Sequence, residues 1–333
     1  MLGAVGIRRL VGRALGAAAL VLLLAAGTAS AAAPAGPRLA VIKHTWNPSR
    51  ATLLTVDPHG RAPVRLAGGQ EKYGPVDSLL VAPLSWRPDG AEVAYTGEFS
   101  FFLAGVDGSG ARRVNAASAE VPVFAPDGHT VAFRRFREGG EAIWTIDLAS
   151  GEQRQLTPSR RGLYYFASSF SPDGTTLLAT RFDRDRSRGQ EPVALNLSTG
   201  GVTRLLGDGY GPVYSPDGSK IALLREVGKP QSGGEEGGSW RATDLFVLHP
   251  ASGSLRRLTR TPSKEELFPS WDPSGERIVF TRFRGSHYEW ANSIVQINAD
   301  GTCETEVLAR KRTVFYGAAW QPGPGREAGR IDC

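Results

Sequence analysis

Four aspartates, Asp89, Asp127, Asp173 and Asp217, each stand between a proline and a glycine. Carboxylates recurring this regularly could perform acid–base chemistry or hold a divalent cation. Their setting argues for a structural role instead. In a Pro-Asp-Gly turn, proline presets φ, aspartate bonds back to the backbone and glycine supplies positive φ. The five histidines divide into two groups. His59, His129 and His249 fall in turns of alternate repeats, too far apart to share a metal. His44 and His287 fall on the opposite side, in repeats that ring closure would make neighbours, so a two-histidine metal site is conceivable; solvent-exposed histidines are the simpler alternative. Asp183 and Asp185 could hold Ca²⁺, although pairing with the adjacent arginines is the stronger reading. There is no Gly-x-Ser-x-Gly elbow, and Cys303 and Cys333 lack the spacing of a zinc ribbon. The residues thus assign no catalytic group, metal or cofactor.

The phrase that holds those aspartates runs through the chain. It is an aromatic, one residue, Pro-Asp-Gly, then an apolar run. It reads Trp86-Arg-Pro-Asp-Gly90, Phe124-Ala-Pro-Asp-Gly128, Phe170-Ser-Pro-Asp-Gly174 and Tyr214-Ser-Pro-Asp-Gly218. Trp271-Asp-Pro-Ser-Gly275 carries Ser for Asp, and Trp320-Gln-Pro-Gly-Pro324 is a worn sixth copy. The prolines at 88, 126, 172, 216, 273 and 322 are 38 to 57 residues apart. The aromatic ends one strand and the apolar run after the turn begins a second. A second phrase interleaves: an apolar strand, Asp or Asn, a Gly-containing turn and a strand rich in Arg and Leu. Its copies are Leu53 to Leu66, Leu103 to Val114, Ile143 to Leu156, Val193 to Leu205, Leu245 to Leu258 and Ile294 to Leu308.

Each period therefore holds four strands, A to D, and tandem four-stranded units predict an all-β, six-bladed β-propeller. Leu39 to His44 resembles a strand B with no strand A before it. Tyr316 to Trp320 is a strand A with no strand B after it. The C-terminal strand is therefore expected to complete the first blade, leaving no open sheet edge. The 41 glycines and 22 prolines of the 333 residues argue against a helical bundle and suit this punctuation.

The phrases resemble the TolB-type propeller repeat, most closely at Pro212 to Leu223 (PVYSPDGSKIAL) and Pro269 to Phe280 (PSWDPSGERIVF). The resemblance covers about residues 38 to 323; repetition makes it specific for fold, and it says little of function because the repeated residues are structural. TolB carries an α/β domain before its propeller, and related peptidases carry a hydrolase domain after theirs. Neither is expected here, so their activities are not expected to carry over.

The opening residues read as a leader. Arg8, Arg9 and Arg13 precede an apolar run from Ala14 to Ala26, and Ala29-Ser-Ala31 fits a cleavage site. The expectation is a signal peptide over 1–31 and a single propeller over 32–333, exported to the periplasm or beyond, with no membrane span after cleavage. Removing three arginines takes the formal charge of +6 to +3. The remaining basic clusters are short, so nucleic acid is not an expected partner. An even cysteine count in an exported chain suggests a Cys303–Cys333 disulfide, two free thiols being the alternative.

In this architecture the A–B and C–D turns share one face. The longer, more variable B–C and D–A loops share the other, where binding is expected. The candidates are Tyr73, Arg160, Arg161, Tyr164, Tyr165, Arg184, Arg186, Tyr210, Trp240, Glu265, Glu266, Tyr288, Trp290 and Tyr316, rich in the types that dominate binding hot spots. For any one of them, packing at a strand end is the alternative. The longest loop, Val227 to Ser239, is expected to be mobile. The chain is read as a monomeric, non-catalytic scaffold for an envelope or secreted protein, or for a glycan. The competing readings are a polysaccharide lyase or hydrolase with its site at the channel mouth, and a peptidase accessory domain.

Overall fold

The structure, a computed structural model, describes residues 36–46, 49–68, 83–97, 100–107, 109–114, 118–186, 189–232, 239–283, 292–310, 313–324 and 328–333. The expected leader lies outside the described residues. Six four-stranded antiparallel sheets are arranged as blades. The first contains β1 (Leu39–Trp46), β2 (Ser49–Val56), β3 (Val64–Gly68) and, as its inner strand, β24 (Thr313–Trp320). The second runs outward through β4 (Ser85–Trp86), β5 (Glu92–Gly97), β6 (Ser100–Gly105) and β7 (Ala111–Arg113). The third holds β8 (Ala119–Phe124), β9 (Thr130–Arg137), β10 (Gly140–Asp147) and β11 (Gln153–Gln155). The fourth holds β12 (Leu163–Phe170), β13 (Thr176–Asp183), β14 (Glu191–Asn196) and β15 (Val202–Arg204). The fifth holds β16 (Tyr210–Tyr214), β17 (Ile221–Ser232), β18 (Ser239–His249) and β19 (Ser254–Arg257). The sixth holds β20 (Glu265–Trp271), β21 (Arg277–Phe283), β22 (Asn292–Asn298) and β23 (Thr305–Ala309). The pairing of β1 with β24, from Leu39 opposite Trp320 to Thr45 opposite Thr313, closes the ring as the strand count requires.

The repeated turn explains itself in the hydrogen bonds. Oδ1 of Asp89 accepts from the Ala91 amide, that of Asp127 from His129 and Thr130, that of Asp173 from Thr175, and that of Asp217 from Ser219. The glycines have left-handed φ, between 71° and 76° at Gly90, Gly128, Gly174, Gly218 and Gly275. At Gly218 a Cβ would also press on the preceding blade, 3.2 Å from Pro172 Cδ, and at Gly275 it would be in ordinary contact with Pro216 Cδ at 3.5 Å. Pro and Gly thus recur because each turn leans on its neighbour. The aromatics work the same way. Trp86 Nε1 donates to Ala319 O at 2.9 Å and Trp271 Nε1 to Val213 O at 3.0 Å, tying one inner strand to the one before it.

Packing lies between blades. Ala94, Phe101 and Leu103 of the second blade meet Phe124, Val131 and Phe133 of the third. Ala222, Leu245 and Val247 of the fifth meet Trp271, Ile278 and Phe280 of the sixth. Both faces of the middle strands are therefore buried, which is why runs such as Val131-Ala132-Phe133 show no polar alternation.

Two expectations are corrected. Val227 to Ser239 is not wholly a loop: β17 and β18 continue their pairing out to Ser232 opposite Ser239, because polar residues on an exposed hairpin extension still complete the ladder. His44, expected at the open face, is 4% exposed, since β1 is sandwiched between β24 and β2 with His44 opposite Val314 and Ala51.

The chain after β24 lies along the turns of the sixth blade. Arg277 donates through Nε to Gly329 O at 2.9 Å and through Nη2 to Ala328 O at 3.0 Å and Arg330 O at 3.1 Å. Ile331 exchanges hydrogen bonds with the Asn298 amide, at 2.8 and 3.0 Å. Cys303 and Cys333 are disulfide-bonded with their Cα atoms 5.5 Å apart.

Candidate functional site

The loop face of the fourth blade gathers several of the residues singled out above. Tyr164 on β12 and Phe182 on β13 stand opposite one another, their rings 5.9 Å apart and 25° from parallel. The Arg184 guanidinium, in the short 3-10 turn after β13, lies 5.7 Å from the Tyr164 ring centre. Arg160 reaches back to Asp183, Nη2 to Oδ2 at 2.8 Å, and that pair fixes the loop entering β12 to the loop leaving β13. Arg161 and Arg184 are exposed and Tyr164 is half-buried. Guanidinium over an aromatic face is a cation–π arrangement, and a flat, partly desolvated arginine–tyrosine surface suits protein recognition. Asp183 and Asp185 stand among these arginines, and among the described residues no group of three or more His, Cys, Asp or Glu is placed to hold a metal.

Tyr210, at the start of β16, sits at the channel wall. Burial and the nearby Glu265 carboxylate push its phenol well above the ordinary range, so it stays protonated. Other candidates are interior. Glu266 is fully buried: its Oε2 accepts from the Leu245 amide at 3.0 Å and Thr259 Oγ1 at 2.7 Å, its Oε1 from Thr261 Oγ1 at 3.0 Å and Arg282 Nη2 at 2.7 Å. With both oxygens engaged it pins blades rather than ligands. Burial raises its pKa while Arg282 opposes the rise. Tyr165 is 4% and Tyr316 7% exposed, each in an inter-blade core, Tyr316 against Phe283 with ring centres 6.3 Å apart. Tyr73, His287, Tyr288 and Trp290 lie outside the described residues, as do the side chains of Arg186 and Trp240.

The channel runs between the inner strands. At its turn-face end a cavity of about 420 Å³ is walled by Trp86, Phe124, Phe170, Tyr214 and Trp320 with Pro88, Pro126, Pro172, Pro216 and Pro322. Deeper in, a second cavity of about 260 Å³ adjoins Tyr210, Phe166, Phe268 and Arg134. Loop variation marks neither cavity, because their walls are built largely from the inner strands and the repeated turns.

Six blades of this strand order, with variants of the Pro-Asp-Gly turn, occur in other proteins. The family model of the TolB beta propeller domain matches residues 37–323. The chain belongs to that family. It is 31% identical over 181 residues to the Tol-Pal system protein TolB of Anaeromyxobacter dehalogenans, over 51% of this chain and 37% of that one. It is 26% identical over 220 residues to Tricorn protease homolog 1 of Streptomyces coelicolor, over 65% of this chain and 20% of that one. The chain thus spans between a fifth and just over a third of the length of these relatives. Among solved structures, TolB from Acinetobacter baumannii superposes with a TM-score of 0.68 at 20% identity, covering 86% of this chain and 67% of that one. As a TolB-type propeller the chain keeps the structural repeat, whereas the Arg160, Arg161, Tyr164 and Arg184 cluster belongs to one blade only. Among the described residues no helix is long and apolar enough to cross a membrane.

Proposed function

We propose that this TolB-type propeller is an exported, non-catalytic scaffold that captures another envelope or secreted protein on its B–C and D–A loop face. The observation that carries the reading is the exposed arginine–tyrosine surface of the fourth blade, with Tyr164 stacked on Phe182 under Arg184 and Arg161 beside it. The repeat supplies rigidity and this unrepeated cluster supplies recognition, as expected of variable loops on a fixed frame. The partner's complementary surface is acidic and aromatic, because two exposed guanidinium groups and a tyrosine ring meet such a surface best. Residues 1–31 direct export and are removed, consistent with a leader of three arginines, an apolar run and Ala29-Ser-Ala31.

The test is affinity capture from an envelope extract with the wild-type chain and an Arg161→Ala/Tyr164→Ala/Arg184→Ala variant, followed by titration of the captured partner. A variant that melts like the wild type and binds at least about tenfold more weakly supports the reading, since hot-spot truncations cost about 2 kcal/mol or more. Equal binding by the folded variant refutes it. Mass spectrometry of the exported chain should place its N-terminus near Ala32; an intact leader refutes the processing.

A further inference from the structure

Residues 328–333 are held on the turn face of the sixth blade as a ligand is held, by side chains that read their main chain. They belong to no strand. Asp272 Oδ2 accepts from the Ala328 and Gly329 amides at 3.3 and 3.2 Å. Arg277 donates to the carbonyls of Gly329, Ala328 and Arg330 at 2.9, 3.0 and 3.1 Å. Asn298 Oδ1 accepts from the Ile331 amide at 2.8 Å, and its Nδ2 donates to the Ile331 carbonyl at 3.0 Å. Every amide and carbonyl of residues 328–331 except the Arg330 amide is taken up in this way.

The blade itself orients these three side chains. Asp272 also accepts from the Glu276 and Arg277 amides, Arg277 Nη1 donates to Gln296 Oε1 at 3.0 Å, and Asn298 Nδ2 donates to Thr302 Oγ1 at 3.0 Å. With the segment in place all three are buried. Without it, Arg277 would lose three of its four hydrogen-bond acceptors, so an empty groove is unfavourable and tends to be refilled. Main-chain contacts supply affinity, and four residues of the segment supply selectivity. Gly329 holds φ at 63°, which glycine adopts at least cost. Ala328 packs against the core around β1 and β24. Arg330 pairs with Asp300 at 2.7 Å, and Cys333 bonds to Cys303.

We propose that this groove is a peptide-docking site, and that a free thiol exchanges its resident segment for residues 328–333 of a second copy of the chain, joining the two through Cys303 and Cys333. The second copy is the partner because its segment is the sequence that the groove holds. Cys333 is exposed and Cys303 half-buried, so a thiol can reach the bond. A thiolate attacks the disulfide at Cys303 and Cys333 leaves as a thiolate. The Cys333 thiolate of the second copy then displaces the small thiol from Cys303. Each exchange breaks one S–S bond and forms one, the small thiol is returned, and nothing is oxidised. Reciprocal exchange keeps every groove contact and both disulfides, so its cost is association alone and its extent rises with concentration. The groove shares no residue with the loop face proposed to capture a partner.

The experiment has two arms. In the first, the full chain carrying Cys333→Ser is equilibrated in a glutathione redox buffer with the peptide Ala-Gly-Arg-Ile-Asp-Cys, and mass spectrometry measures how much Cys303 carries peptide and how much glutathione. Methylating the isoleucine amide removes the bond to Asn298 and should lower peptide occupancy about tenfold. Valine in place of the peptide's glycine should lower it by a similar factor, because of the left-handed φ. With Asn298→Ala added to the protein, the methylation penalty should largely vanish. Equal occupancy by the plain and methylated peptides overturns the docking site, as does an unchanged methylation penalty in folded Asn298→Ala protein. In the second arm, wild-type chains with and without heavy nitrogen are mixed with catalytic glutathione, and the Cys303–Cys333 peptides are mapped without reduction. Light–heavy pairs should appear and increase with protein concentration; their absence overturns the second copy as partner. This arm carries the test if Cys333→Ser does not fold.

Discussion

Reducing the Cys303–Cys333 disulfide should loosen the ring at its seam before it unfolds the rest. The bond closes a loop of 30 residues that contains β23 and the whole of β24, the strand on which closure of the first blade depends. Cross-linking a loop of that length removes enough conformational entropy from the unfolded chain to stabilise the fold by about 3.6 kcal/mol. At about 2–4 °C per kcal/mol for a domain approaching this size, the melting temperature should fall by roughly 7–14 °C. The native structure should survive reduction, because the tail is also held by Arg277, which donates to three of its carbonyls, and by the paired hydrogen bonds of Asn298 with Ile331. The assay is thermal and urea unfolding of one wild-type preparation, oxidised and reduced, with the bond verified by non-reducing peptide mapping. Hydrogen exchange should quicken first in β24 and in its partner β1. Identical melting of the two forms would refute the chain-entropy argument. Faster exchange spread evenly over all six blades would refute the seam.

The hydrogen bonds at the inner-strand bulges and in the turn aspartates yield further expectations. Thr96→Val should destabilise by about 1–3 kcal/mol in urea unfolding, because the buried Val121 amide loses the hydroxyl that it donates to. Thr281→Val, at the equivalent position of the sixth blade, should be neutral or stabilising, since Thr281 Oγ1 is buried without a hydrogen-bond partner; equal losses in the two variants would defeat the assignment of the Thr96 effect to its hydrogen bond. Hydrogen bonds from Ser215 and Ser219 lower the Asp217 carboxyl from 3.8 to about 2. A folded-state pKa below the unfolded one contributes stability that is fully present above about pH 4 and lost as the pH falls toward 2. The stability gap between the wild type and Asp217→Asn should therefore hold steady from pH 7 to about 4.5 and close below it; a gap independent of pH would contradict the assignment.

The frame was legible because its physics is local. A Pro-Asp-Gly turn needs only its own few residues to fix proline's φ, aspartate's bond to a nearby amide and glycine's left-handed φ, so it can be read wherever it occurs. Counting the strands then settles closure. The sixth blade shows the limit of that reading. Its phrase carries Ser274 for the usual aspartate, yet the carboxylate has moved to the other side of the proline. Asp272 accepts from the Glu276 amide at 3.0 Å and the Arg277 amide at 2.9 Å, and it also receives Ala328 and Gly329 of the tail at 3.3 and 3.2 Å. A partner 56 residues away leaves no mark on the local pattern.

The site was less legible for a related reason. In a strand, a slip of one residue turns every side chain to the other face, and five of the six inner strands contain such a shift. Spacing alone could not separate Tyr164, which reaches the loop face, from the neighbouring Tyr165, which is core, nor reveal that Glu266 is spent on Arg282 and two threonines. Arg134 and Arg135 are adjacent in β9, and only the register assigns the first of them to the ring of channel residues. A signal was nonetheless present. Once the six phrases are superposed, position 134 carries a charge where the other blades carry Ile42, Thr96, Thr180, Leu224 and Thr281. In a ring of near-equivalent blades the repeated residues build the wall, so a residue that departs from its five counterparts and remains buried is the place to look for what the wall encloses.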